Sequence, residues 1–184
     1  MAYQRQGTLP YGATIEYQYA SIGNSAGVNE TPVTQRKVTH SDPNGTMVDT
    51  WSYTIPISGA NGTSSILNPD GGTVKHYFYA RYGGNGQFHG QTYKIVQPDG
   101  SEVDQIWGSQ TAPAHPANLS IANPFVQTEI RSVASSGSPQ KSAVKQFSYD
   151  LNGNLLQTQD YDWINFSQVV FGRHTNSIPA RRFW

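Results

Sequence analysis

Two pairs of carboxylates stand at a spacing that could do acid–base chemistry. Asp160 and Asp162, and again Glu102 and Asp104, lie two residues apart. In an extended strand that puts both side chains on one face, with Cβ atoms roughly 6–7 Å apart. Glycoside hydrolysis uses two acids about 5–10 Å apart, so either pair has the span. The alternation Asp160-Tyr161-Asp162-Trp163 is also what any half-exposed hairpin strand carries. The reading is therefore no enzyme and no catalytic residue.

Other chemistries are thin. The histidines His40, His76, His89, His115 and His174 show neither His-x-His nor His-Glu-x-x-His spacing. With no cysteine there is no thiolate metal site, disulfide or Cys nucleophile, and no metal or cofactor is expected. Gly83-Gly84-Asn85-Gly86 lacks the Gly-Lys-Ser/Thr ending and the following helix of a phosphate loop. There is no Gly-x-Ser-x-Gly elbow, and Ser136-Gly137-Ser138 sits in a flexible string that offers a nucleophile no rigid seat. Aromatic rings are the stronger signal. Trp51, Tyr53 and Trp107, with Tyr77, Tyr79, Tyr82 and Tyr93, could stack on sugar rings. That gives an alternative reading, a free-standing β-sandwich that binds carbohydrate at a cell surface. The favoured reading makes the rings packing between hairpins, each burying about 150–250 Å².

The elements that must position these residues follow from composition. The 184 residues carry 12 Lys+Arg against 12 Asp+Glu, and only 13% are charged. Ser, Thr, Asn and Gln supply 60 residues and aromatics 22. Thr, Tyr, Val and Gly favour strands and turns over helices, so the expected class is all-β. A net charge of zero with scattered Lys and Arg argues against a nucleic-acid partner. No apolar run is long enough for a membrane-spanning helix, and residues 1–20 do not read as a signal peptide.

Period-two alternation runs through Thr14–Tyr19, Met47–Ile55, Thr73–Arg81, Gln91–Gln97, Glu102–Trp107, Phe125–Val133, Ala143–Tyr149 and Leu155–Trp163. Gly, Pro, Asn and Asp bound these runs. The whole of 1–184 reads as a single β-rich repeat region, best defined over 40–107 and 141–164. Residues 108–122 and 135–140 read as loops, and Ser21–Thr31 as an exposed connection.

The turns recur. Asp42-Pro43-Asn44-Gly45, Pro69-Asp70-Gly71-Gly72, Pro98-Asp99-Gly100-Ser101 and Asp150-Leu151-Asn152-Gly153-Asn154 each precede a strand-like run. Gly45, Gly71, Gly100 and Gly153 are separated by 26, 29 and 53 residues. The last interval reads as two periods, with Asn123-Pro124 where a degenerate copy would fall. A spacing in the twenties points to a repeat array of hairpins, each too marginal to stand alone.

Tyr149-Asp150-Leu151-Asn152-Gly153-Asn154-Leu155 resembles the Tyr-Asp-x-x-Gly-Asn-Leu signature of YD repeats, found in bacterial RHS proteins and relatives such as teneurins. The Pro-Asp-Gly hairpins resemble weaker copies of the same unit. The resemblance implies a curved sheet of stacked antiparallel hairpins, part of a larger shell around a toxin or other cargo, secreted or at the cell surface. In that frame Tyr149 packs against neighbouring strands, Asp150 and Asn154 cap a turn, Gly153 takes a positive φ and Leu155 starts a strand. The family's Asp-Pro-x-Gly-Leu segment, associated with self-cleavage, has no match, because Thr46 follows Asp42-Pro43-Asn44-Gly45. That stretch reads as an ordinary type I turn. RHS shells are much longer than this chain, so it is expected to be a fragment. Its partners would be neighbouring repeats and a cargo polypeptide, and alone it should self-associate through open sheet edges.

Overall fold

Alternating apolar and polar residues between Gly-rich corners make antiparallel ribbons, and most of the described residues are in strands. The computed structural model describes residues 3–23, 29–55, 62–79, 88–111 and 122–168. Thirteen strands follow in order: β1 (Tyr3–Thr8), β2 (Thr14–Tyr19), β3 (Ile22–Gly23), β4 (Asn29–Glu30), β5 (Val33–Asp42), β6 (Gly45–Thr54) and β7 (Gly62–Leu67). After these come β8 (Thr73–Phe78), β9 (Thr92–Val96), β10 (Glu102–Thr111), β11 (Ala122–Ser135), β12 (Ser138–Tyr149) and β13 (Leu155–Asn165). A short 3₁₀ turn, Phe166–Gln168, comes after β13. Among the described residues no helix is long and apolar enough to cross a membrane.

Eleven strands form one open sheet in the order β1-β2-β5-β6-β7-β8-β9-β10-β11-β12-β13, every neighbour antiparallel. β3 and β4 pair separately, inside the stretch expected to be a connection. The stacked-hairpin, all-β architecture is thus present. Among the described residues the buried apolar side chains are few: Ala13, Phe88, Ile130 and Val144. Ile130 and Ser142 are fully enclosed, on β11 and β12. Most rings are half-buried on the sheet surface, so the aromatics are less completely sealed than expected.

A meander sends successive connections to alternate rims of the sheet. The corners at 9–13, 43–44, 68–72, 97–101 and 136–137 therefore all lie on one rim. Every connection on the opposite rim is longer, except the corner at 150–154. Side-chain and backbone contacts agree with this topology. A Cβ on Gly72 would stand 2.9 Å from Pro98 Cβ, and one on Gly100 would run into the Gly137 carbonyl. On the other rim, Gln110 Nε2 donates to the Asp150 carbonyl oxygen.

Three expectations are corrected here. The YD-like corner is not in phase with the Pro-Asp-Gly corners, because three strands, β10 to β12, an odd number, separate Gly100 from Gly153 and put them on opposite rims. Asn123-Pro124 is no degenerate corner; it lies inside β11, paired with Gln110 and Ser109. Of the two stretches read as loops, Ser135–Gln140 is a tight two-residue hairpin. There Ser136 and Gly137 take φ of 54° and 78°, the left-handed pair that matches strand twist. Gly108–Thr111 continues β10 and Ala122 opens β11, while 112–121 lie outside the described residues.

Candidate functional site

Four corners share one backbone design. In Leu9–Ala13, Asn68–Gly72, Gln97–Ser101 and Asp150–Asn154, the fourth residue's N–H donates to the first residue's carbonyl. The first residue's N–H in turn donates to the fifth residue's carbonyl. The fourth residue is glycine each time, with φ from 84° to 86°. Any Cβ there would meet the left-handed steric penalty, which explains the Gly at Gly71, Gly100 and Gly153. The corner at Asn44 and Gly45 is shorter: Asp42 pairs with Gly45 across two residues, and the positive φ of 130° falls on Gly45. Asp42 Oδ1 accepts the Asn44 N–H at 2.6 Å.

The aspartates stiffen these corners from different positions. Asp70 Oδ1 accepts from Gly72 N at 2.9 Å, and Asp99 Oδ1 from Ser101 N at 2.9 Å, with Ser101 Oγ donating to Asp99 Oδ2 at 3.0 Å. Asp150 instead opens its corner. It accepts Asn152 N and Asn154 N on Oδ1, both at 2.9 Å, and Asn154 Nδ2 on Oδ2 at 2.8 Å. Hydrogen bonds to the ionised form hold the Asp150 carboxyl below the usual range, the Asn154 side chain first, and the Ser101 amide does the same for Asp99. Tyr149 packs its ring 5.0 Å from Phe125, centroid to centroid, and Leu155 opens β13.

The rings expected to stack on sugar do not converge. Trp51 and Tyr53 share a face of β6, whereas Trp107 lies on β10, four strand steps or roughly 19 Å away. The Arg36 guanidinium already covers Trp51 at 4.6 Å, a cation–π contact, and Trp107 Nε1 is spent on the Thr92 carbonyl at 2.8 Å. Tyr77, Tyr79 and Tyr93 cluster with Phe88, the Tyr79 ring 4.9 Å from Tyr93. Burial lifts the Tyr79 hydroxyl's pKa, with Tyr93 adding to it. Tyr82, His115, His174 and Gly83-Gly84-Asn85-Gly86 lie outside the described residues.

The two acid pairs meet opposite fates. Asp160 and Asp162 are on the edge strand β13 and exposed. Asp160 pairs with Lys145 at 3.1 Å, and Asp162 accepts its neighbour Trp163's N–H at 2.7 Å. A hollow of about 210 Å³ lined in part by Glu129, Arg131, Lys145 and Asp160 lies beside them, smaller than a typical ligand pocket. Glu102 and Asp104 are interior. Cross-strand register aligns Glu102 with Ser132 and Ser142, and Asp104 with Ile130 and Val144, all on one face.

Lys94 on β9, directly opposite Asp104, reaches both acids: Nζ is 2.6 Å from Glu102 Oε2 and 3.6 Å from Asp104 Oδ1. The Glu102 side chain is 8% exposed and that of Asp104 14%. Glu102 Oε1 and Asp104 Oδ2 are buried without a hydrogen-bond partner. Burial pushes the Asp104 carboxyl up to about 6, with Lys94 opposing and the Glu102 charge adding to the rise. The acids in turn hold the Lys94 ammonium above its usual range against the opposing effect of burial. Sequence reasoning saw the two acids but missed the lysine, whose partnership depends on β9–β10 register. Among the described residues no group of three or more His, Cys, Asp or Glu is arranged to hold a metal ion. Compared with known proteins, the chain matches no family model and no curated protein.

Proposed function

We propose that the chain is a structural, non-enzymatic wall segment of the YD/RHS-repeat kind. Its job is to wall, present or help export another polypeptide region, such as a toxin, as part of a larger secreted or surface protein. The observation that carries this reading is the interlocked corner series. Hairpins laid strictly side by side, with Gly72 against Pro98 and Gly100 against Gly137 of the next corners, extend a sheet without needing a second layer. The Tyr149–Leu155 motif and its hydrogen-bonded corner support the family resemblance. A wall of this kind is built to continue, and its terminal strands offer unpaired N–H and C=O groups.

β13 is the more available end. It carries exposed Leu155, Leu156 and Trp163, and its sequence holds no Pro or Lys to discourage pairing. Light scattering over a concentration series should give a mass that climbs with concentration, and Leu156→Lys should return it toward the monomer. A wild-type mass fixed at the monomer up to high concentration would sink the wall reading.

A further inference from the structure

We infer that Lys94 and Asp104 join in an intramolecular isopeptide bond, with Glu102 as the proton relay. The inference does not rest on the wall reading. An amide between side chains needs an amine beside a carboxyl, a second carboxylate on the amine, and exclusion of the water that would keep all three charged. The cluster supplies the first two, and it keeps the acids nearly dry, their side chains 8% and 14% exposed against 29% for Lys94. Lys94 and Asp104 are directly opposed on neighbouring antiparallel strands, which places their Cβ atoms about 4.5–5.5 Å apart. Glu102 Oε2 is 2.6 Å from the amine. Ile130, fully buried, flanks Asp104 on the other side, and Ser132 with Ser142 flanks Glu102, their hydroxyls bonded to each other at 2.8 Å.

The two orphaned oxygens are the second observation. A static ion pair of this burial would satisfy its remaining lone pairs, whereas no third group donates to Glu102 Oε1 or Asp104 Oδ2, which leaves them only a proton shared between the two acids. An uncharged product lowers the cost of leaving such atoms unpaired. Few other charges face the cluster: Tyr77 of β8 stands opposite Lys94 and Lys75 opposite Val96, while Glu129 and Arg131 alternate to the other face of β11.

The step balances within the three residues. The Lys94 ammonium gives a proton to the Glu102 carboxylate, leaving a neutral amine. Its nitrogen attacks Cγ of the protonated Asp104 carboxyl, and a new C–N bond forms. The tetrahedral centre expels the Asp104 hydroxyl as water. That hydroxyl takes the proton held on Glu102, and the carboxylate so freed removes the remaining ammonium proton from nitrogen. The products are an amide, one water and a neutral Glu102. The neutral Asp104 required is the form its burial favours below about pH 6.

Mass spectrometry tests this directly. The folded, purified chain, measured whole under denaturing conditions, should weigh one water less than its sequence; the full sequence mass overturns the proposal. A succinimide at Asp70-Gly71 or Asp99-Gly100 would lose the same water, so the chain is then cut after Glu102 with a glutamyl endopeptidase. The isopeptide holds the two fragments together as one branched species through Lys94 and Asp104, and two separate fragments overturn it. Glu102→Gln, isosteric and folded by circular dichroism, should keep the full mass; a loss of one water in that variant, mapped by fragmentation of its peptide to Lys94 and Asp104, overturns the relay. Lys94→Arg keeps the positive charge and should also keep the full mass. If the variants do not fold, the branched wild-type fragment or its absence decides.

Discussion

Glu102/Asp104 and Asp160/Asp162 have the same spacing on the same kind of strand, yet one pair is interior and the other solvated. β10 has strands on both sides, whereas among the described residues β13 has a neighbour on one side only. At β10 the acids are boxed between Lys94 and the Ile130–Ser132 row, so their charges lose water and depend on one lysine. At β13 each acid meets water and a single local partner. Spacing sets which face a side chain takes, and strand position in the sheet sets what that face costs.

The comparison breaks most sharply at the lysines. Lys94→Ala removes the cross-link and leaves two buried carboxylates without a cation, and should cost at least about 3–5 kcal/mol in urea unfolding. Lys145→Ala exposes only an already solvated Asp160 and should cost about 0.5 kcal/mol or less. Equal losses would mean the two pairs share one environment.

The corners make a parallel contrast. Gly100→Ala meets both a positive φ and the Gly137 backbone, and should cost about 3 kcal/mol. Gly153→Ala has the same φ but open space around it, and should cost about 1 kcal/mol. Thermal or urea melts of the two variants compare them directly.

Acid dependence gives the next effect. In a chain that has not formed the Lys94–Asp104 bond, Asp104 has a raised folded pKa, so the folded state holds its proton more firmly than the unfolded chain does. Its contribution is therefore largest below about pH 4 and is lost as pH rises through about 6, by roughly 2–3 kcal/mol. Asp104→Asn should flatten that slope, and an unchanged slope would remove Asp104 as its source. Asp150 and Asp99 run the opposite way. Their lowered carboxyls stabilise the corners above the ordinary aspartate pKa, and that help fades as pH falls below it. This last effect is the smallest, and Asp150→Asn should remove its own share.

Much of the fold was legible in residue order. Alternation in Thr14–Tyr19 and Gln91–Gln97 marked β2 and β9, and Pro-Asp-Gly marked the corners at Gly71 and Gly100. Legibility failed where two elements read alike. Ser135–Gln140 looked like a linker because Ser, Gly and Pro serve both loops and tight hairpins. The corner at Asp150 looked like the next copy in a series because its residues match, although one unmarked reversal at Ser136-Gly137 had already changed the rim. The carboxylate pairs were visible as pairs, but nothing local separated the buried one from the exposed one.

Sequence by itself determined the all-β class, the places where the chain must reverse and which side chains share a face, since φ preferences and period-two alternation act within a few residues. Only the tertiary structure decided the rim of each corner, the interior place of β10 and the meeting of Lys94 with Glu102 and Asp104. Those depend on strand order and register, which residues far apart in the chain settle together through pairing and burial.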